Sequence, residues 1–257
     1  MAAPKPYIGV TGFVTLEEVH AALDHVPERA SRYLMVGVLA SYKSLRREPM
    51  REKWAKQTPD IEILSGVFPD YYTGKETLHL VHYTGDDETL CQDLVEIVRR
   101  VQYRLDGFQL NLVWPAPAAL ERFHELTRLS RRRLVLQVSR QATAAFDDDT
   151  TLVAQKLRDY HDLVDYVLLD ASGGEGRLLD LEWARRYLHS FEDRNLPFRL
   201  GVAGGLGVRS MEQIQRLLVE FPYLSWDAQG RLRNQRNELD LEAVGSYLDQ
   251  SFALVQK

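Results

Sequence analysis

Short apolar runs and amphipathic stretches alternate along the chain from one end to the other. Apolar runs rich in Val, Leu, Ile and Tyr fall at Tyr7–Thr11, Tyr33–Ala40, Leu78–Tyr83, Gly107–Val113, Leu134–Val138, Tyr166–Asp170, Arg199–Ala203 and Leu224–Ala228. Continuous apolar character over about four to eight residues predicts strands covered on both faces. The stretches between and after them carry helical spacing and helix punctuation. Thr15 with Glu18 predicts a capping box at the first helix. After Thr89, the residues Leu90, Leu94, Ile97, Val98 and Val101 recur on one helical face. Pro117 suits an opening turn, Ser210 is placed to cap a further helix, and the last helix is predicted over about Asp240–Val255.

The pattern yields eight strands and eight helices in strict alternation. Dividing the 257 residues by eight leaves about 32 per unit, the size of one βα repeat. Alternation of this kind implies a parallel sheet, and eight units favour closure into a (β/α)8 TIM barrel. An open doubly wound sheet is the competitor, but its Gly-rich first turn is reduced here to Thr11-Gly12-Phe13. No linker divides residues 1–257, so one domain is expected. Two connections are longer than a usual βα loop: about 41–59, which carries Lys43, Arg46, Arg47, Arg51, Lys53 and Lys56, and about 139–150, which ends in Asp147-Asp148-Asp149. Both follow strands and therefore belong to the catalytic face of a barrel.

Composition changes this picture little. Apolar residues are 45% and charged residues 27%, and 32 basic against 37 acidic side chains leave a charge of −5. That balance argues against a general electrostatic grip on nucleic acid, even though Trp54 sits among the basic residues of the 41–59 connection. One cysteine makes neither a disulfide nor a thiolate cluster, and no run approaches the roughly 20 apolar residues of a membrane span. A cytoplasmic protein without membrane association is expected. No cofactor signature occurs, and none is predicted; oligomeric state is left open.

Polar residues at the strand ends form the shortlist for chemistry: Thr11, Ser41, His82, Gln109 with Asn111, Gln137 with Ser139, Asp170 and Asp227. Asp170 stands out because it closes an otherwise apolar strand, and a carboxylate there can act as general acid or base. Glycines follow the last three strands in clusters, Gly173-Gly174-Glu175-Gly176, Ala203-Gly204-Gly205-Leu206-Gly207 and Gln229-Gly230-Arg231. Such turns bring backbone N–H groups to an anion without Cβ obstruction, and the loops after strands seven and eight are where barrels often hold phosphate. A Schiff-base aldolase needs a lysine within a strand, and the predicted strands have none. His79 and His82 lie three apart and so face opposite sides, leaving no visible set of metal ligands. Arg131-Arg132-Arg133 precedes strand five and reads as a solvated rim on the opposite, stability face.

Leu168-Leu169-Asp170, Gly173-Gly174-Glu175-Gly176 and Asp180-Leu181-Glu182-Trp183 resemble the Leu-Leu-Asp, Gly-Gly-x-Gly and Phe-Asp-Trp elements of the phosphoribosylanthranilate isomerase family. Ala203-Gly204-Gly205-Leu206 is similar to that family's phosphate loop, Tyr42-Lys43-Ser44-Leu45-Arg46 to its Lys-Ser-Pro-Arg element, and Gln109-Leu110-Asn111 to its Gln-Leu-His-Gly strand. The resemblance implies a phosphorylated small-molecule substrate, Asp170 as general acid, Arg46 on a substrate carboxylate, and Gly174, Gly176, Gly204, Gly205 and Gly230 around the phosphate. Gln109 and Asn111 would contact substrate. The family's catalytic cysteine is replaced in Gly9-Val10-Thr11-Gly12 by threonine, which supplies no thiolate. Thr11 is then at most a polariser. The expected function is an isomerase-like enzyme of this type acting on a phosphorylated sugar or related anion; the alternative is a barrel that binds a ligand or a partner without catalysis.

Overall fold

The computed structural model describes residues 4–70, 74–172 and 178–256. Eight parallel strands close into a barrel in sequence order: β1 Tyr7–Thr11, β2 Tyr33–Ser41, β3 Thr77–Thr84, β4 Gly107–Leu110, β5 Arg133–Ser139, β6 Tyr166–Asp170, β7 Arg199–Ala203 and β8 Ser225–Ala228. Strand β8 returns to β1 through Ile8↔Trp226, Gly9↔Asp227 and Val10↔Ala228. Each predicted strand is present within a residue or so at either end, except that β4 stops at Leu110. Asn111 still donates its N–H to Tyr83 O at 2.9 Å, but the chain then turns through Trp114, whose φ is 52°, into Pro115.

The helices depart more from expectation. They are α1 Leu16–Leu23, α2 Tyr42–Arg46, α3 Glu52–Ala55, α4 Leu64–Val67, α5 Leu90–Val101, α6 Pro117–Leu126, α7 Arg140–Ala144, α8 Thr150–Leu157, α9 Leu181–Glu192, α10 Met211–Glu220 and α11 Leu241–Ala253. The connection after β2 breaks into three short pieces. Pro49, Pro59 and Pro69 punctuate it, and a proline removes an amide donor and disfavours helix in the residue before it. The capping box at α1 forms, with Glu18 N–H on Thr15 Oγ1 at 3.2 Å and the Glu18 carboxylate on Thr15 N–H at 3.2 Å. Asp240 caps α11 through Ala243 N–H at 3.1 Å. Ser210 does not cap α10: its hydroxyl bonds instead to Gly207, accepting from N–H at 2.8 Å and donating to O at 2.7 Å. The acidic run is an exposed local turn whose carboxylates bond to neighbouring backbone and side chains. Asp149 caps α8 by accepting from Thr151 and Leu152 N–H, and Asp148 accepts from Thr143 Oγ1 at 2.6 Å.

Apolar packing separates into two bodies. The larger lies between the strands and the helices, where Trp226, Tyr187, Phe123 and Tyr160 are buried. The smaller fills the barrel lumen with Tyr7, Met35, Leu78, Leu80, Val135, Tyr166, Leu168 and Ala203. Tyr166 donates to Lys5 O at 2.7 Å, and Arg199 Nε donates to Pro4 O at 2.9 Å, so the segment before β1 is tied to two strand residues. The arginine triplet is not a solvated rim throughout. Arg132 is buried, with its guanidinium donating to the carbonyls of Leu105 and Gln102, while Arg133 lies over the Tyr33 ring. Carbonyls left over at the end of α5 and its following turn give Arg132 a reason to be inside.

Glycine matters sterically where two strands approach. A Cβ at Gly107 would run into the backbone carbonyl of Arg133 on β5. Gly107→Ala is therefore expected to destabilise the barrel by about 1–3 kcal/mol, the usual cost of forcing extra volume into a packed site. A lowered urea midpoint at unchanged slope would report it; an unchanged midpoint would contradict the tight β4–β5 approach.

Candidate active site

A layer of polar side chains caps the apolar lumen at the carboxyl ends of the strands. Thr11, His82, Gln109, Gln137, Asp170 and Asp227 are all buried, from six different strands. They come together because residues two apart on a strand share a face: Asp227 lies inside while its neighbour Trp226 points out to Ser251 on α11. Gly9 and Gly37 make the space. A Cβ at Gly9 would lie 2.7 Å from Asp227 Oδ1, and one at Gly37 would overlap Thr11 Oγ1.

Hydrogen bonds link the layer into a chain. Thr11 Oγ1 lies 3.0 Å from both oxygens of Asp227. Gln109 Nε2 is 3.3 Å from Gln137 Oε1 and 3.3 Å from His82 Nδ1. Gln137 Nε2 donates to Asp170 Oδ2 at 2.8 Å, and Asp170 Oδ1 accepts from both the N–H and the Oγ of Ser172 at 2.8 Å. Gln109 Oε1 is buried and has no partner among the described residues.

Two groups of the layer are displaced from ordinary titration. Burial pushes Asp227 up to about 7; the bonds from Thr11 and Gln109 oppose the rise, and the neighbouring charge of Asp170 adds to it. Burial also lowers His82 to about 4, so its imidazole is neutral near pH 7. A carboxyl group that titrates near neutrality can both give and take a proton.

The cleft above this layer has two chambers. One, of about 180 Å³, is bordered by Asp170, Asp227, Gly204, Gly205 and Gly230. Gly204 and Gly205 have φ of 104° and 64°, the left-handed region that side chains rarely adopt. A Cβ at Gly204 would also lie 2.8 Å from Asp170 Oδ1, so glycine there is needed for the approach of β7 to the carboxylate. The other chamber, of about 420 Å³, is bordered by Tyr42, Lys43, Met50, Arg51 and Asn111. Trp54, His82, Asp170 and Gln229 border both.

The sequence candidates are thus distributed unevenly. Asp170, Gln109, Gly204, Gly205 and Gly230 meet at the smaller chamber, and Asn111 borders the larger. Thr11 lies beneath, against Asp227. Gly174 and Gly176 lie outside the described residues. Arg46 does not border either chamber. Its guanidinium pairs with Asp93 at 3.2 Å, where Tyr83 Oη and Thr89 Oγ1 also donate, and Lys43 and Arg51 are the cations of that connection that reach the larger chamber. Asp227, His82 and Gln137 were visible as polar strand-end residues without being assigned to the site. Their signal was a polar side chain on the inward face of an otherwise apolar strand.

No protein-family profile matches this chain, and no curated protein is similar to it in sequence. Solved structures are similar in fold. Phosphoribosyl anthranilate isomerase from Thermus thermophilus aligns with a TM-score of 0.64 at 14% identity, over 96% of this chain and 99% of that one. A phosphoribosyl anthranilate isomerase solved in complex with reduced 1-(o-carboxyphenylamino)-1-deoxyribulose 5-phosphate aligns at 0.60 and 13% identity, over 96% and 98%. The octameric ribulose-1,5-bisphosphate carboxylase/oxygenase of Pyrococcus horikoshii, solved with a sulfate ion, aligns at 0.61 and 15% identity, over 98% of this chain and 59% of that one. The class is therefore a (β/α)8 barrel similar in architecture to these solved enzymes. Within it, the chain is a divergent barrel resembling phosphoribosylanthranilate isomerase in fold.

The raised Asp227 makes a prediction about stability. Its folded pKa of about 7 lies above the ordinary aspartate value of 3.8, so the folded state retains a proton that the unfolded chain releases. Stability is then lost as pH rises from about 4 through about 7, by on the order of 4 kcal/mol for a shift of this size. Asp227→Asn is expected to be the more stable protein at pH 8 and close to wild type at pH 4.5, as read by urea unfolding at the two values. A variant that is destabilised equally at both would refute the buried, proton-retaining carboxylate.

Proposed function

We propose that the protein is an enzyme of the isomerase type that moves protons on a phosphorylated sugar or a related small anion, with Asp170 and Asp227 as its acid–base pair. The observation that carries this reading is the placement of two carboxyl groups, one titrating near neutrality, beneath the glycine turns that follow β7 and β8. Backbone N–H groups of Gly204, Gly205 and Gly230 are suited to hold a phosphate without a side chain in the way. A phosphate anchored there sets the carbon chain of the ligand over the polar layer, which converts a bimolecular encounter into a positioned one. An aldose–ketose or Amadori rearrangement then needs one group to take a proton from carbon and another to protonate oxygen. Asp170, restrained by Gln137 and Ser172, and Asp227, restrained by Thr11, fill these two roles. Thr11 orients Asp227 and does not itself act as base. The neighbour solved with a sugar-phosphate ligand supports the substrate class.

Asp170→Asn should reduce turnover by about 10²–10⁴-fold, the usual contribution of a positioned acid or base, and leave ligand affinity nearly unchanged. The assay is growth of a tryptophan-requiring strain that lacks the isomerase, followed by calorimetry of the purified proteins with ribose 5-phosphate and with ribose. Selective binding of the phosphorylated sugar supports the glycine cradle. Equal binding of both sugars, or activity that survives Asp170→Asn, would sink the proposal.

A further inference from the structure

Segment 50–59 forms a wall of the cleft, yet it has little to hold it there by itself. Its helix α3 has four residues, none of them buried, and no side-chain cap at Arg51; a single exposed turn is not stable alone. The Lys56–Glu52 pair is exposed, and such pairs contribute little. Arg46, the nearest strong anchor, pairs with Asp93 before the segment begins.

Gln57 and Pro59 are the segment's buried residues, and Gln57 carries the polar contacts. It is 2% exposed, unusual for a loop glutamine, and both ends of its amide are engaged. Its Nε2 donates to Asn237 Oδ1 at 2.8 Å, and its Oε1 accepts from Gln229 Nε2 at 2.7 Å. Asn237, in the left-handed region with φ of 65°, donates its Nδ2 to Lys53 O at 2.7 Å. Three neutral amides thus run from the end of β8 through Gln57 and back to the backbone one residue before Trp54. Trp54 borders both chambers of the cleft, and the Lys53 ammonium lies 4.8 Å from the centre of its ring. The ladder is made only of uncharged groups, and removing Gln229 or Asn237 leaves the buried Gln57 amide short of a partner.

We propose that Gln57 is a positioning residue that fixes Trp54 as the partition between the two chambers, and that this partition sets ligand selectivity. A ligand that extends from the glycine turns into the larger chamber meets Trp54, His82, Asp170 and Gln229, the residues that border both. The positioning stands on geometry alone; the selectivity rests on the proposed phosphate site.

The test separates the two. Acrylamide quenching of Trp54 is isolated by subtracting the signal of a Trp54→Phe protein. Gln57→Ala and Asn237→Gly, the latter compatible with the left-handed backbone, are each expected to raise the Trp54 quenching constant at least about twofold by local loosening. Far-UV circular dichroism and urea unfolding establish that each variant is folded. Because both variants break one ladder, the double variant should be quenched no more than either single one. Unchanged quenching in the folded variants, or fully additive effects, would overturn the positioning role. For selectivity, Gln57→Ala should weaken ribose 5-phosphate binding by about tenfold, or about 1.4 kcal/mol, and leave inorganic phosphate binding within about twofold. Equal weakening of both ligands would overturn the partition. If the wild-type protein binds neither ligand, the phosphate reading and the selectivity built on it fall, and the quenching result still decides the role of Gln57.

Discussion

Keeping a carboxyl group off water at the top of an apolar lumen is the constraint on which the site depends. Asp227 sits over a lumen filled by Tyr7, Met35, Leu168 and their neighbours. Isolated there, a carboxylate would be strongly disfavoured. The structure limits the penalty in two ways. Thr11 and Gln109 supply hydrogen bonds, and the group retains its proton up to about pH 7. The fold is left with reduced stability above neutrality and with a group that titrates near pH 7, a combination that perturbed groups at functional sites often show. Glycines at positions 9 and 37 are part of the same arrangement, since either Cβ would close the space that Thr11 and Asp227 occupy.

The polar layer also explains why amides stand between the two carboxyl groups. Gln109 and Gln137 lie in the chain of contacts between the Asp227 side and Asp170. An amide both donates and accepts without carrying charge. It can therefore restrain Asp170 without the opposite charge that would hold a nearby carboxyl ionised. The same choice recurs in the wall of the cleft, where the neutral amides of Gln229, Gln57 and Asn237 join two loops. Charged anchors lie farther out, as at Arg46–Asp93 and Arg47–Glu62.

The barrel was legible because its signal is short-range and repeated. Eight apolar runs, each followed by an amphipathic stretch, leave few topologies, and strand identity survives small errors in any one boundary. The connections were less legible because their order depends on partners far away in sequence. Nothing near Arg46 indicates that Asp93, 47 residues later, will take its guanidinium, and nothing near Gln57 indicates Asn237, 180 residues later. Ser210 shows the limit of local rules: the hydroxyl that reads as a helix cap serves the turn before the helix. Arg132 shows the limit of reading a charge run as a unit, because three adjacent side chains meet three different surroundings. Within the site, Asp170 was legible as a lone polar residue closing an apolar strand. Asp227 was visible as a polar residue near the end of its strand, but its proximity to Thr11 arises only when β8 closes against β1.

That closure bears on Thr11, which the sequence resemblance sets against the family's thiol. Taken alone, Thr11 removes the expected base and favours a barrel that only binds. Seen against β8, the hydroxyl has a different partner and a different role, since it touches both oxygens of Asp227. A cysteine thiol is a weaker hydrogen-bond donor than a hydroxyl, and would orient that carboxyl less well. On the proposed reading, the hydroxyl and the buried carboxyl group act together, with the titrating group on β8 and the orienting group on β1. Architecture alone does not select between these divisions of labour, since one fold carries many chemistries. The selection lies in which inward positions are given to glycine, to a hydroxyl and to a carboxyl group, and here those positions converge on one pair of side chains.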